Sequence, residues 1–226
     1  MIATVAPSGA LPPGEELVVY ARTTTIQADP TKIDAGIAPI REQTLPAVTS
    51  MEGCVGMSLL VDRQSGRCIA TTAWESEAAM RDSAEQVRPL RDQAEQGLGA
   101  SSSEVDMWEV AVVHRDHAIP DGACARVTWV GVADPSNADR ILETYKMGVL
   151  PRLEELDGFC SASMLINRET GRGVGTVIFD GREQLEGSRD SAAKIRERAT
   201  SEMGATVRDV AEFEVAFAHL HVPEMV

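Results

Sequence analysis

Along the chain, the spacing of apolar residues switches between strand-like alternation and the three-to-four step of helices, and each switch marks an element. Glu16 to Gln27, ELVVYARTTTIQ, is rich in Val, Thr and Tyr and predicts a strand. Asp29-Pro30 supplies an N-cap with proline in the first turn, after which Ile33, Ile37, Ile40, Thr44 and Val48 recur at helical spacing. Gly36, Pro39 and Pro46 interrupt that helix, so it is expected to kink or end early. A turn at Gly53 leads into a strand over Gly56 to Asp62, and Arg63-Gln64-Ser65-Gly66 predicts a hairpin to a strand over Arg67 to Trp74. Ser76 caps a second helix with the stripe Met80, Ala84, Val87, Leu90, Ala94 and Leu98. Glycines and serines from Gly97 to Ser103 end it, and Val105 to Val113 forms the last strand. The order β-α-β-β-α-β is the ferredoxin-like plan.

The chain then writes the same pattern again. GCVGMSLLVDRQSGR at Gly53 to Arg67 returns as GFCSASMLINRETGR at Gly158 to Arg172, with 158 − 53 = 105. The same offset carries Asp29-Pro30 onto Asp134-Pro135 and Glu109-Val110-Ala111 onto Glu214-Val215-Ala216. An ungapped register of that length means two copies of one structural unit. The predicted division is a flexible arm over 1–15, a first unit over 16–116 and a second over 123–221, joined by a short polar segment. In the second copy, Ala123 to Val132 is a strand, followed by a helix with the stripe Ala138, Leu142, Tyr145, Val149, Leu153 and Leu156. A helix over about Arg182 to Met203 and a strand over Asp209 to Leu220 complete it. Ala21-Arg22 aligns with Ala125-Arg126 at an offset of 126 − 22 = 104, so a bulge or shortened loop is required near Ala28. A one-residue slip exchanges the two faces of a strand, and the facing of Arg22 and Arg126 stays open.

The strands Cys68 to Trp74 and Val210 to Ala218 carry small or apolar residues on both faces, so each sheet has a second face to bury. The other copy's sheet is the simplest cover. The fold class is therefore α+β: two ferredoxin-like units packed sheet to sheet, with helices outside and a pseudo-twofold axis between them.

Composition narrows the partners. A formal charge of −14 argues against nucleic acid and against an anionic membrane surface. No stretch has the length of a signal peptide's apolar run or of a spanning helix, so the expected location is cytoplasmic. Cys54, Cys68, Cys124 and Cys160 meet Phe159, Gly173, Val19 and Val55 in the other copy. A disulfide frame or metal site of the repeated unit would have kept its cysteines in register, so free buried thiols are expected.

Thr72-Ala73-Trp74-Glu75-Ser76-Glu77-Ala78-Ala79-Met80, entering the second helix, resembles the W-x-S-x-x-x-h signature (h apolar) of the antibiotic biosynthesis monooxygenase-like (ABM-like) group of the dimeric α+β barrel superfamily. The second copy has Phe179-Asp180-Gly181-Arg182-Glu183-Gln184-Leu185, with Phe replacing Trp. The resemblance covers Glu16 to His219 as two fused units and implies that the usual dimer is made within one chain. It also implies a small-molecule pocket between each sheet and its helices, no cofactor, and either cofactor-independent oxygenation of aromatic or polyketide-like substrates or non-catalytic ligand binding. Self-association beyond the internal pseudo-dimer stays open. The group's haem degraders use an Asn in the first strand and a Trp and a His in the second helix. Here those helix positions are Ser83 and Gln93, or Ser188 and Arg198, and neither first strand contains Asn, so haem chemistry is not expected.

The pocket candidates are Trp74, Trp108, Trp129, Tyr145, Phe179, Phe213 and Arg189, the last in the register of Ala84 on the buried stripe, where an unpaired charge would be costly. Plain core packing is the favoured reading of the aromatic residues, and a side chain that reaches solvent is that of Arg189. His114 and His117 follow the last strand of one copy, and His219 and His221 that of the other. Twofold symmetry makes them a candidate Zn or Ni set. Strand-end histidines are also ordinary surface residues, and with no Cys or carboxylate pattern beside them no metal is expected. Trp74 against Phe179 and Ala84 against Arg189 are differences of the kind that leave one pocket functional.

Overall fold

In the computed structural model, residues 18–226 are described, and the arm expected over 1–15 lies outside the described residues. The first half runs β1 (Val19–Gln27), a 3-10 turn (Pro30–Lys32), α1 (Ile33–Pro39), a π turn (Ile40–Thr44), α2 (Leu45–Thr49), β2 (Cys54–Val61), β3 (Arg67–Trp74), α3 (Glu77–Asp82), α4 (Ala84–Gly97) and β4 (Ser102–Arg115). The second half repeats it: β5 (Cys124–Val132), a 3-10 turn (Pro135–Asn137), α5 (Ala138–Thr144), a π turn (Tyr145–Val149), α6 (Leu150–Glu154), β6 (Phe159–Asn167), β7 (Arg172–Phe179), α7 (Arg182–Gly187), α8 (Arg189–Met203) and β8 (Ala205–Leu220). Among the described residues, no helix is long and apolar enough to cross a membrane.

The strands form one closed antiparallel barrel in the order β1-β3-β2-β8-β5-β7-β6-β4. Two seams join the halves: β4 pairs with β6 and β8 with β2, so each half lends its long last strand to the other. Closure leaves no free sheet edge. The inward residues of both halves make one core, with Ala21, Leu60, Trp108 and Val110 against Ala125, Val127, Leu165 and Phe213. The pseudo-twofold relation extends to the ion pairs. Arg63 bridges Asp34 and Glu214, and Arg168 bridges Asp139 and Glu109, every residue displaced by 105.

The broken first helix has a local cause. Pro46 has no N–H for the carbonyl four residues back, and its ring would crowd that carbonyl. The turn ahead of it widens instead, and the Leu45 N–H donates to the Ile40 carbonyl. Before Pro151, the Leu150 N–H donates likewise to the Tyr145 carbonyl. The helix bends through a π turn in both halves and does not stop.

The one-residue discrepancy resolves at Ala133. The Ala28 N–H donates to Gly66 O at 2.8 Å and the Val132 N–H to Gly171 O at 2.9 Å, so Ala28 and Val132 hold equivalent places. Asp29 follows directly in the first half, whereas Ala133 intervenes before Asp134 in the second. The crossing is tight: a Cβ at Gly66, where φ is +80°, would sit 2.3 Å from Ala28 O. Strand parity is thereby kept, and Arg22 and Arg126 both point away from the barrel interior, toward their helices.

Those arginines change the second helix of each half. The Met80 carbonyl accepts from Ser83 Oγ and from Arg22 Nη2, and the helix is divided at Ser83. Leu185, Ser188 and Arg126 repeat the arrangement. The offset between α3 and α4 rotates the stripe, so Ser83 is buried and Ala84 exposed, contrary to the periodic expectation. By the same rotation Arg189 is exposed, and its guanidinium lies 2.6 Å from Glu212.

Candidate functional site

A cavity of about 130 Å³ opens in the second half, between the outward face of β5, β6 and β7 and the helical layer of α5, its π turn and α8. Its walls are mostly aliphatic, including Val130, Leu142, Val149, Met164, Val177 and Ile195. The π turn places Tyr145 and Val149 against it, and Phe179 of β7 lines it as well.

Comparison with the first half explains why space exists here. There, Ile33, Leu59, Val61, Cys68 and Leu98 fill the corresponding layer and are fully buried. In the second half, Ala138 stands at the place of Ile33, Gly173 at that of Cys68 and Gly175 at that of Ala70. Each exchange removes side-chain volume from the sheet or helix face. Gly36 contributes from the opposite direction: a Cβ there would lie 2.6 Å from Leu98 Cδ2, so its absence lets α1 settle on α4. Its counterpart Ile141 lines the cavity together with Met203, the counterpart of Leu98. A bulky residue at that crossing props the helices apart.

Arg126, Arg168, Arg172 and Arg196 supply the cavity's charge, and among the described residues no Asp, Glu, His or Cys lines it. Arg126 is buried, donating to Ser188 Oγ at 3.0 Å, Leu185 O at 2.7 Å and Glu212 Oε1 at 2.9 Å. Arg168 is held by Glu109 and Asp139, and Arg172 by Asp106. Burial pushes the Tyr145 hydroxyl well above the ordinary phenol range, so it stays protonated. The arrangement can enclose an apolar body and meet a polar end with donors. Among the described residues its lining has no side chain suited to removing a proton.

Of the residues singled out in the sequence, Tyr145 and Phe179 line this cavity. Trp74 lies in the first half's core, its indole N–H donating to Thr72 Oγ1 at 3.0 Å. Trp108, Trp129 and Phe213 belong to the barrel interior, where Trp108 donates to Thr23 Oγ1 at 2.8 Å and Trp129 meets Phe213 edge-on. Arg189 is outside the cavity lining; the buried position belongs to Ser188, because the helix breaks there.

The histidines do not converge, since β4 and β8 stand on opposite sides of the barrel. His114 is held between Glu154 and Glu224, His117 between Asp116 and Asp180, and His219 pairs with His221 at 3.1 Å. Among the described residues, His117 joins a different group, with Cys160 and Asp180, whose ligand atoms lie within 4.8 Å of one another. Burial, with nearby Asp180 and Asp116, pushes the Cys160 thiol up to about 11. All four cysteines are free.

The sequence reading missed Arg196 and the small residues Ala138, Gly173 and Gly175. Their signal was present in the second half's departures from the first at the same offset.

Comparison with known proteins agrees with this architecture. The chain is 51% identical over 221 residues to the uncharacterized Mycobacterium tuberculosis protein Rv2558, covering 97% of this chain and 93% of that one. An anthrone oxidase-like protein superposes with a TM-score of 0.62 at 14% identity, covering 93% of this chain and 94% of that one. A Listeria monocytogenes ferredoxin-fold protein related to antibiotic biosynthesis monooxygenases gives 0.52 at 8% identity, covering 88% and 95%. No family model matches the chain.

Proposed function

We infer that this chain, which belongs to the family of Mycobacterium tuberculosis Rv2558 and has the ABM-like α+β barrel fold, is a small-molecule-binding protein whose working pocket is in its second half. The observation that carries this reading is the apolar cavity between β5–β7 and α5/α8, where the first half has solid core. Apolar walls drive entry of an apolar body, and a few polar groups at the margin orient it.

The lining favours binding over proton-transfer catalysis, since among the described residues it offers no carboxylate, imidazole or thiol as a general base. A second reading, cofactor-independent oxygenation, draws support from the likeness to an anthrone oxidase-like protein and suits substrates acidic enough to ionise unaided. An anthrone would lose the hydrogens of its methylene carbon to O₂ and leave as the quinone, with one oxygen atom in the product and the other in water. The lining arginines would stabilise the carbanion.

Thermal-shift and calorimetric titration with a panel of aromatic acids, phenols and quinols tests the first reading. Saturable stabilisation, reduced when the second-half cavity is filled by substitution, is the expected result. Binding unaffected by such a substitution would overturn it. Oxygen uptake with anthrone and naphthoquinol tests the second, and the absence of uptake by protein that binds them leaves binding as the function.

A further inference from the structure

The geometry points to an anionic head group on the ligand, received by Arg196: a small apolar acid such as an aromatic carboxylate, or the enolate of a ring ketone. This rests on the second-half cavity being the binding pocket. Helices α4 and α8 carry equivalent arginines, Arg91 and Arg196, and what differs is the residue one turn later. In the first half that residue is Glu95, whose Oε1 lies 3.7 Å from Arg91 Nε. In the second half it is Thr200, whose hydroxyl turns back to its own helix and donates to Arg196 O at 2.9 Å. The exchange removes the helix's own counter-ion from the arginine that borders the cavity.

No other group among the described residues replaces it. Glu212 is engaged by Arg126 and Arg189, Asp106 by Arg172, and Glu109 with Asp139 by Arg168. Arg196 alone among the cavity's arginines has neither an ion pair nor a hydrogen-bonded partner for its guanidinium there. Burial and the neighbouring charge of Arg126 both act against its protonated form, lowering its pKa. An anion at this place would relieve that repulsion and accept charge-assisted hydrogen bonds, which are stronger than neutral ones. The Tyr145 hydroxyl also has no hydrogen-bond partner among the described residues, and it offers a neutral donor on the same cavity wall. Apart from the arginines, Tyr145, Asn167, Thr128 and Thr200, the lining is apolar, which suits a ligand with an apolar body. With a chain charge of −14, general electrostatics would repel anions, so a preference for them requires a specific cation.

The test is calorimetric titration with 2-naphthoate and its neutral isostere 2-naphthamide, on wild type, Arg196→Gln, Thr200→Glu and Arg189→Gln. Wild type and Arg189→Gln should bind naphthoate about tenfold more tightly than naphthamide, the scale of one charged hydrogen bond. Arg196→Gln and Thr200→Glu should lose that preference while still binding naphthamide, Thr200→Glu by restoring the first half's ion pair. Equal binding of both probes by wild type, or a preference that survives in both variants, would overturn the anion assignment and leave the pocket standing. Binding of neither probe by any protein, each shown folded by circular dichroism, would overturn the pocket and with it this inference.

Discussion

The two halves share one backbone plan and differ in what lies between sheet and helices. In the first, Gly36 admits Leu98 and the helices seat on a sheet lined by Leu59, Val61 and Cys68. In the second, Ile141 occupies the helix crossing, while Ala138, Gly173 and Gly175 recede from it, and a cavity of about 130 Å³ remains. A larger residue at one place and smaller ones at three others convert a packed layer into a pocket without altering the strand order. Duplication makes this economical: one half secures the barrel and its twin is released from close packing.

Substitutions at equivalent places should break or sharpen the contrast, beginning with the charge network. Arg126→Met leaves Glu212 with Arg189 alone, takes one of the two donors from the Leu185 carbonyl and removes the donor to Ser188 Oγ. It should cost about 3 kcal/mol in urea unfolding, the scale of breaking a buried ion pair. Arg22→Met removes bonds to the neutral partners Ser83 and Met80 only, and should cost about 1–2 kcal/mol. Equal losses would mean that Glu212 contributes nothing to the difference.

Next in size is the helix crossing. Gly36→Ile copies the second half's residue into the first and forces Leu98 aside, costing about 2 kcal/mol by overpacking in the same unfolding experiment. The reverse logic applies in the pocket. Ala138→Ile restores the first half's side chain and should weaken naphthoate binding about tenfold by calorimetry while stability stays equal or rises by up to ~1 kcal/mol. Undiminished binding would place the ligand elsewhere.

The smallest effect is a pH dependence confined to one half. Hydrogen bonding from Arg189, then from Arg126, holds the Glu212 carboxyl below its ordinary 4.5 despite partial burial. The folded pKa is depressed, so the stabilisation is fully present above 4.5 and is lost as pH falls through the folded value. Glu212→Gln should flatten that part of the stability profile. Its first-half counterpart is Met107, so no carboxyl titrates at that position.

Much of this was legible beforehand. The repeat, the hairpin turns at Arg63 and Arg168 and the Ser76 cap rest on local chemistry, whereas Tyr145 and Phe179 become candidates only through the family resemblance; both line the second-half cavity. Ala84 and Arg189 were misplaced because periodicity assumes an unbroken helix, and the break at Ser83 and Ser188 depends on arginines from distant strands. Trp108, Trp129 and Phe213 look like pocket aromatics in one dimension, but barrel closure assigns their strand face to the interior. The histidine symmetry was real in sequence and ineffective in space, because the strands that carry it lie across the barrel from one another.

The sequence alone therefore determined the unit, its duplication and the order of its elements, since helix and strand periods, caps and turns are set by neighbours a few residues apart. It also held the list of positions at which the copies diverge. Only the tertiary structure decided which divergences matter. A cavity is the volume left between side chains from separate elements, and a free charge is one that no distant residue reaches. Neither Ile141 facing Met203 nor Arg196 without its carboxylate has meaning until β5–β7, α5 and α8 are brought together.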